Sequence, residues 1–227
     1  LEVIIPAEST AAKGKILIDE DAQRFKALTS NGVGNTVKYE PLIEKQYLEL
    51  PEPSLKDNLS DHQRIYRELR RTKNIPIMQT GLKVFKKSSS LLRDNDWKVT
   101  ATLGRRGDTT EVIQLEGGDT SDTNYGVAVD IGTTTIVAHL VDLVTSETLG
   151  AEAKYNSQMK YGEEVTRRIR YSEDHGREEL QEEVAEDINE LIYVLVDRNG
   201  IKLKDVTSVT CSGNTAMIHF LLGLEAA

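Results

Sequence analysis

Two runs of strand-forming residues, separated by a glycine and three threonines, constrain this chain more than any other feature: residues 125 to 143 read YGVAVDIGTTTIVAHLVDL. A third run, ETLGAEAKYN, comes after a turn at Val144 to Ser146. Three strands in succession make a meander. The nearly unbroken apolar, β-branched character of YGVAVDIG predicts a first strand buried on both faces. Helical spacing takes over next. YGEEVTRRIRYS suits a short helix, and REELQEEVAEDINELIYVLVDRNG a long one, with Leu180, Val184, Ile188, Leu191, Ile192 and Leu195 on one stripe and Gly200 as the stop. VTSVTCSGNT returns to a strand that ends in a small-residue turn, and AMIHFLLGL opens another helix. The order predicts an α/β half-domain over residues 124–227.

Upstream the grammar differs. Residues 1–45 (LEVIIP, KGKILID and the turn-forming TSNGVGNT) read as a small linker module. Prolines in YLELPEPS end any strand there, and Ser60 with Gln63 forms a capping-box signature ahead of a helix from about Asp61 to Arg71 that carries Ile65 and Leu69 on one face. NIPIMQTGLKVFKKSSSLLRDND reads as a second helix, and WKVTATLG and TEVIQLEGGD, flanking RRGD, as a hairpin. Together they predict an α+β middle domain over residues 46–119, joined to the α/β half-domain by GGDTSDTN.

Composition narrows the chemistry. A formal charge of -9 argues against a nucleic-acid partner, which needs clustered Lys and Arg. Cys211 is the single cysteine, which rules out an internal disulfide and a thiolate-held cluster in this stretch; in an apolar strand its thiol reads as inert. His62, His139, His175 and His219 are scattered with no zinc-binding spacing. No apolar stretch approaches the length of a membrane span and no signal pattern opens the chain, so it reads as cytoplasmic with no membrane partner. Leu1 and the final HFLLGLEAA read as cut ends, as of an internal fragment.

The glycine-threonine turn carries the chemistry. Gly132 lets backbone approach closely, Thr133, Thr134 and Thr135 can present amides and hydroxyls in a concave nest, and Asp130 is a hard oxygen ligand suited to magnesium. The plainer alternative is a β-hairpin whose threonines serve strand propensity. Tyr161, Gly162 and Glu163 read as a helix start, for which ordinary initiation is the simpler account. Gly213, Asn214 and Thr215 end a strand where α/β folds expose ligand-facing loops, and with Tyr161 and Gly162 they are candidates to line a cleft. Arg167, Arg168 and Arg170 read as a solvated helix face, as do Glu178, Glu179, Glu182, Glu183, Glu186 and Glu190.

The strand ending in D-I-G-T-T, with two more strands after it, resembles the first phosphate loop of the actin, hexokinase and heat-shock ATPase superfamily. PSLKDNLSDHQRIYREL, VTATLG, YNSQMKYGEEVTRRI and CSGNTAMIHFLLGL, in that order around it, resemble the reductive activators of corrinoid proteins. That resemblance implies a linker, a middle domain and the first half of an actin-like, ribonuclease H-like ATPase domain. It implies ATP and Mg2+ as cofactors, with Asp130, Gly132, Thr133 and Thr134 contacting phosphates and metal, and a [2Fe-2S] cluster only in an amino-terminal domain missing from this sequence. It further implies a corrinoid protein as partner, returned from the Co(II) to the Co(I) state in methyltransferase systems, and leaves room for a homodimer. Lacking the cluster domain and the second half of the ATPase fold, this stretch alone is expected neither to transfer electrons nor to hydrolyse ATP efficiently. The alternative is a small-molecule kinase of the same superfamily, but such kinases begin their phosphate loop near the amino terminus, whereas 124 residues precede Tyr125 here. A scaffold with an actin-like half is weaker still, since no polymer contact is legible.

Overall fold

The structure is a computed structural model that describes residues 40–73, 75 and 78–226; nearly all of the predicted 1–45 module lies outside them. Two four-stranded sheets and five α-helices make up the described residues.

The first sheet contains β1 (Ile43–Glu49), β2 (Met78–Thr80), β3 (Lys98–Arg106) and β4 (Thr109–Gly117), in the order β1-β3-β4-β2. β3 and β4 form the predicted hairpin, turning at Gly107, whose φ of +61° suits glycine. Helices α1 (Asp61–Lys73) and α2 (Leu82–Asp94) pack on it through Ile65, Leu69 and Leu92, with Trp97 and Val99 beneath. The capping box forms as expected: Gln63 N–H donates to Ser60 Oγ at 3.3 Å and Ser60 N–H to Gln63 Oε1 at 2.9 Å. The predicted second helix is shorter than expected. Its leading residues supply β2, a parallel partner of β4, and helix begins only after Gly81. A three-residue strand is too short to leave a periodic signal.

The second sheet contains β5 (Tyr125–Ile131), β6 (Thr135–Asp142), β7 (Thr148–Tyr155) and β8 (Val206–Gly213), in the order β7-β6-β5-β8. β5, β6 and β7 form the expected antiparallel meander, and β8 returns parallel to β5 after α3 (Val165–His175) and α4 (Glu178–Arg198). α5 (Thr215–Leu222) comes after β8. Val127, Val129 and Ile131 pack against the predicted apolar stripe of α4 and against Met217 and Phe220 of α5. The expectation that β5 is buried on both faces is corrected: Ala128 and Asp130 are exposed, because the helices cover one face of the sheet. Gly126, Val127 and Val129 made the run look uniformly apolar, yet the strand alternates.

Residues 118–124 join the two sheets. Asn124 donates to the Ile43 carbonyl at 3.2 Å and accepts from Thr207 Oγ1 at 2.6 Å, so one side chain ties β1 to β8. Glu116, almost fully buried, lies 2.6 Å from the buried Lys45 ammonium and 3.5 Å from Lys204, and accepts from Thr120 Oγ1 at 3.0 Å. Burial pushes the Glu116 carboxyl up, but the bonds from Lys45 and Thr120 and the charge of Lys204 outweigh it and hold the group below its usual range.

Candidate functional site

β5 delivers Ile131 to a tight turn, closed where the Gly132 amide donates to the Thr135 carbonyl at 3.0 Å. A Cβ on Gly132 would stand 2.4 Å from that carbonyl oxygen, so the turn admits only glycine without rebuilding. Every carbonyl of the turn is occupied from within the fold. Asn156 Nδ2 donates to Gly132 O at 2.9 Å, Arg168 Nη2 to Thr133 O at 2.7 Å, the Asn156 amide to Thr134 O at 2.8 Å, and Thr135 O takes the Gly132 amide. With the carbonyls drawn inward, the Thr133 and Thr134 amides and the Thr133, Thr134 and Thr135 hydroxyls have no hydrogen-bond partner among the described residues. Thr134 is exposed and its neighbours half-buried. The result is a set of donors that no acceptor among the described residues engages, a nest suited to an anion.

The second loop sits beside the first. Parallel register places Ser212 opposite Asp130 and Gly213 opposite Ile131, so the carboxyl ends of β5 and β8 lie side by side. A Cβ on Gly213 would fall 2.8 Å from Ile131 O. Asn214 caps α5, its Oδ1 accepting from the Met217 amide at 3.0 Å, and Thr215 is exposed in the first turn. Asp130, exposed on the uncovered side of β5, has Ser212 Oγ 3.4 Å from its Oδ1. Asp130, Thr133, Thr134, Gly213, Asn214 and Thr215 are therefore brought together at one end of the sheet, the place where α/β folds bind ligands.

Tyr161 and Gly162 lie elsewhere. Rather than beginning a helix, Tyr161 ends the 3-10 turn Ser157–Tyr161, Gly162 closes it by donating to Met159 O, and α3 starts at Val165. Tyr161 packs on the core and against Tyr171, and Gly162 O accepts from Arg168 Nε at 2.8 Å, so both support the 131–135 turn from behind.

Arg168 corrects the reading of α3 as wholly solvated on its arginine side. Its side chain is 0% exposed. Besides Thr133 O and Gly162 O, it approaches Glu163 O at 3.3 Å and Met217 Sδ at 3.8 Å, and it forms no ion pair with a carboxylate among the described residues. Burial pushes its guanidinium down from the usual arginine value. A cation without a counter-charge therefore lies directly behind the turn, and the field it adds favours an anion on the open side.

Asn156, Arg168 and Asp187 are the residues that sequence reasoning missed. Asn156, almost fully buried, also accepts from the Gln158 amide at 3.0 Å. Asp187, also buried, accepts from the Ser157 amide and hydroxyl at 2.8 and 2.7 Å and pairs with Lys154 at 2.7 Å. Burial works to lower the Lys154 ammonium, but its bonds to Asp187 and Glu190 hold it above its usual value. This network anchors the Asn156 segment that in turn holds the loop. The signal was available: Arg168 stands three residues after Val165 and beside Ile169, and Asp187 three after Val184, each on the inward stripe of its helix.

No group of three His, Cys, Asp or Glu among the described residues is placed to hold a metal, so a magnesium ion here would take Asp130, water and ligand oxygens. No helix of the described residues is long and apolar enough to cross a membrane.

The RACo linker region matches residues 32–122 and the RACo middle region residues 125–227. A corrinoid activation enzyme, RamQ of Eubacterium limosum, is 34% identical over 104 residues, covering 44% of this chain and 17% of its own length. The solved structure of a reductive activator for corrinoid, iron-sulfur protein superimposes with a TM-score of 0.76 at 32% identity over 86% of this chain and 31% of its own. This chain thus spans less than a third of either relative. Its two sheets share the fold of that activator, and the chain belongs to the RACo family, of which it carries the linker and middle regions.

Proposed function

We propose that this chain is the nucleotide-sensing part of an ATP-dependent activator that returns a corrinoid protein from the Co(II) to the Co(I) state. The observation that carries the proposal is the polarity of the turn over residues 132–135: its four carbonyls are engaged from inside while the Thr133 and Thr134 amides have no acceptor among the described residues. Such a turn repels cations and accepts the terminal oxygens of a nucleotide, with the Thr133, Thr134 and Thr135 hydroxyls adding bonds that carry no competing charge. Asp130 would hold magnesium or its waters beside the phosphates, and Gly213 to Thr215 would close the other wall. Magnesium would supply charge neutralisation of the phosphate oxygens. The relatives named for corrinoid activation support the partner and the direction of the chemistry.

Within this chain the work is binding and coupling. ATP can change the affinity for a corrinoid partner only by binding two conformations unequally. Asn124 and the Lys45–Glu116–Lys204 cluster connect the loop-bearing sheet to the first sheet and give such a change a path between them. Electrons would enter from a [2Fe-2S] cluster held by another part of the full-length protein.

The test is Asp130→Ala in the full-length activator. Mg-ATP affinity is expected to fall by about tenfold or more with far-UV circular dichroism unchanged, since Asp130 is exposed and holds no core contact. Unchanged affinity refutes the site.

A further inference from the structure

The helix after β8 opens on a polar cap and then buries two residues at a spacing of three. Asn214 caps α5, and Met217 and Phe220 are both 0% exposed. Met217 faces two polar groups inside the core. Its sulfur lies 3.6 Å from Asn156 Nδ2 and 3.8 Å from Arg168 Nη1, on two side chains that are themselves buried. A thioether is a weak acceptor, but its sulfur is soft and polarisable and suits a guanidinium from which water is excluded.

Those two donors belong to the side chains that hold the 131–135 turn. Asn156 Nδ2 directs one proton to Gly132 O and the other to Met217 Sδ. Arg168 gives Nε to Gly162 O and Nη2 to Thr133 O, while Nη1 has Met217 Sδ as its one hydrogen-bond acceptor among the described residues. Leucine would fill much the same space but leave a buried donor on each side chain without an acceptor, which is costly. Packing alone therefore does not call for methionine here. On its other side Met217 belongs to the second loop: its amide donates to Asn214 Oδ1 at 3.0 Å, and a Cβ on Gly213 would stand 3.4 Å from the Met217 Cβ. Contacts no longer than 3.8 Å thus run from Asn214 through Met217, and then through Asn156 or Arg168, to the carbonyls of Gly132 and Thr133.

We infer that Met217 is a positioning residue that couples the two loops. Its sulfur keeps Asn156 and Arg168 turned so that they draw the carbonyls of the turn inward, and α5 passes to it any displacement of Gly213, Asn214 or Thr215. The inference rests on reading the two loops as walls of one nucleotide cleft, and adds that the walls act together. A phosphate group that engages Gly213 to Thr215 steadies the first turn of α5, and through Met217 it steadies the Thr133 and Thr134 amides, so that each contact strengthens the other. Coupling of this kind shows as non-additivity when both ends of the series are perturbed.

The test compares Met217→Leu with Met217→Gln in the full-length activator. Leucine offers no acceptor; glutamine restores one within similar reach but buries an amide, so it is expected to melt below the leucine variant. Deuterium exchange without nucleotide, read by mass spectrometry, follows the peptides that contain the Gly132 and Asn156 amides, which donate to Thr135 O and Thr134 O. Met217→Leu is expected to speed that exchange by about fivefold, the equivalent of one ordinary hydrogen bond, and to weaken Mg-ATP binding in calorimetry by a similar factor. Met217→Gln is expected to return both towards wild type despite its lower melting temperature. A residue that only packs gives the reverse order, with glutamine worse than leucine in every readout, and that order overturns the inference. Asn214→Ala, which uncaps α5, is expected to speed the same exchange in the wild type and to add nothing in Met217→Leu; equal increments in both backgrounds overturn the coupling. The expected exchange pattern in an activator without Mg-ATP affinity refutes the nucleotide reading and supports the coupling of the loops. Normal Mg-ATP affinity with unmoved exchange in Met217→Leu overturns the coupling and leaves the nucleotide reading standing.

Discussion

Replacing Arg168 by Met removes the clamp behind the 131–135 turn while keeping most of its bulk. Two strong bonds are lost, to Thr133 O at 2.7 Å and Gly162 O at 2.8 Å, each with a charged donor and each leaving a carbonyl unpaired. Bonds of this kind contribute about 1.5–3 kcal/mol each. Removing a buried cation that has no carboxylate partner returns on the order of 2 kcal/mol of desolvation cost. The net loss is therefore about 1–4 kcal/mol, at its upper end a large part of the roughly 5–15 kcal/mol that holds a domain together. Urea unfolding monitored by far-UV circular dichroism measures it, and the fluorescence of the single tryptophan, Trp97, reports separately on the first sheet, where it is buried. Arg168→Lys keeps the charge but reaches one carbonyl, so it should recover about half of the loss in stability and more of the loss in Mg-ATP affinity. A stability change under about 0.5 kcal/mol with unchanged nucleotide affinity in Arg168→Met would refute the clamp.

Neighbouring positions depend on the same contacts. Gly132→Ala places a methyl 2.4 Å from Thr135 O, so it should cost about 1–3 kcal/mol and abolish Mg-ATP binding by calorimetry; a normal titration would show that the turn is not the receptor. Asn156→Asp keeps the acceptor for Gln158 but sets a carboxylate against Gly132 O, with an expected loss of about 2–3 kcal/mol, which an unchanged melting temperature would contradict. Glu116 has a folded pKa below its reference value of 4.5, so its contribution is complete above pH 4.5 and is lost as pH falls through the lower folded value. Glu116→Gln should flatten that acid limb of the stability profile and loosen the link between sheets in small-angle scattering; an identical acid limb would rule Glu116 out as its source.

Regular elements with strong periodicity are legible in the sequence. The six apolar residues expected on the long helix are all buried, the Ser60–Gln63 capping box forms, and the expected meander and β3–β4 hairpin are both present. Features decided by tertiary contact escape. β2 is three residues long and exists through its parallel pairing with β4, which no local pattern encodes. Arg168 and Asp187 escape because charged residues on helices usually face water, whereas here carbonyls and the Ser157 segment satisfy them inside. The candidate site is legible as a turn with the right residue types. Its polarity is not, because the direction of four carbonyls depends on Asn156 and Arg168, more than 20 residues away in sequence.

The most direct measurement is amide NMR of the full-length activator labelled with 15N only at threonine. The account predicts that the Thr133 and Thr134 amide resonances move on addition of Mg-ATP, and stay in place with Mg2+ alone or with adenosine, which has no phosphate. Nucleotide binding of normal strength that leaves those two resonances unmoved would contradict it.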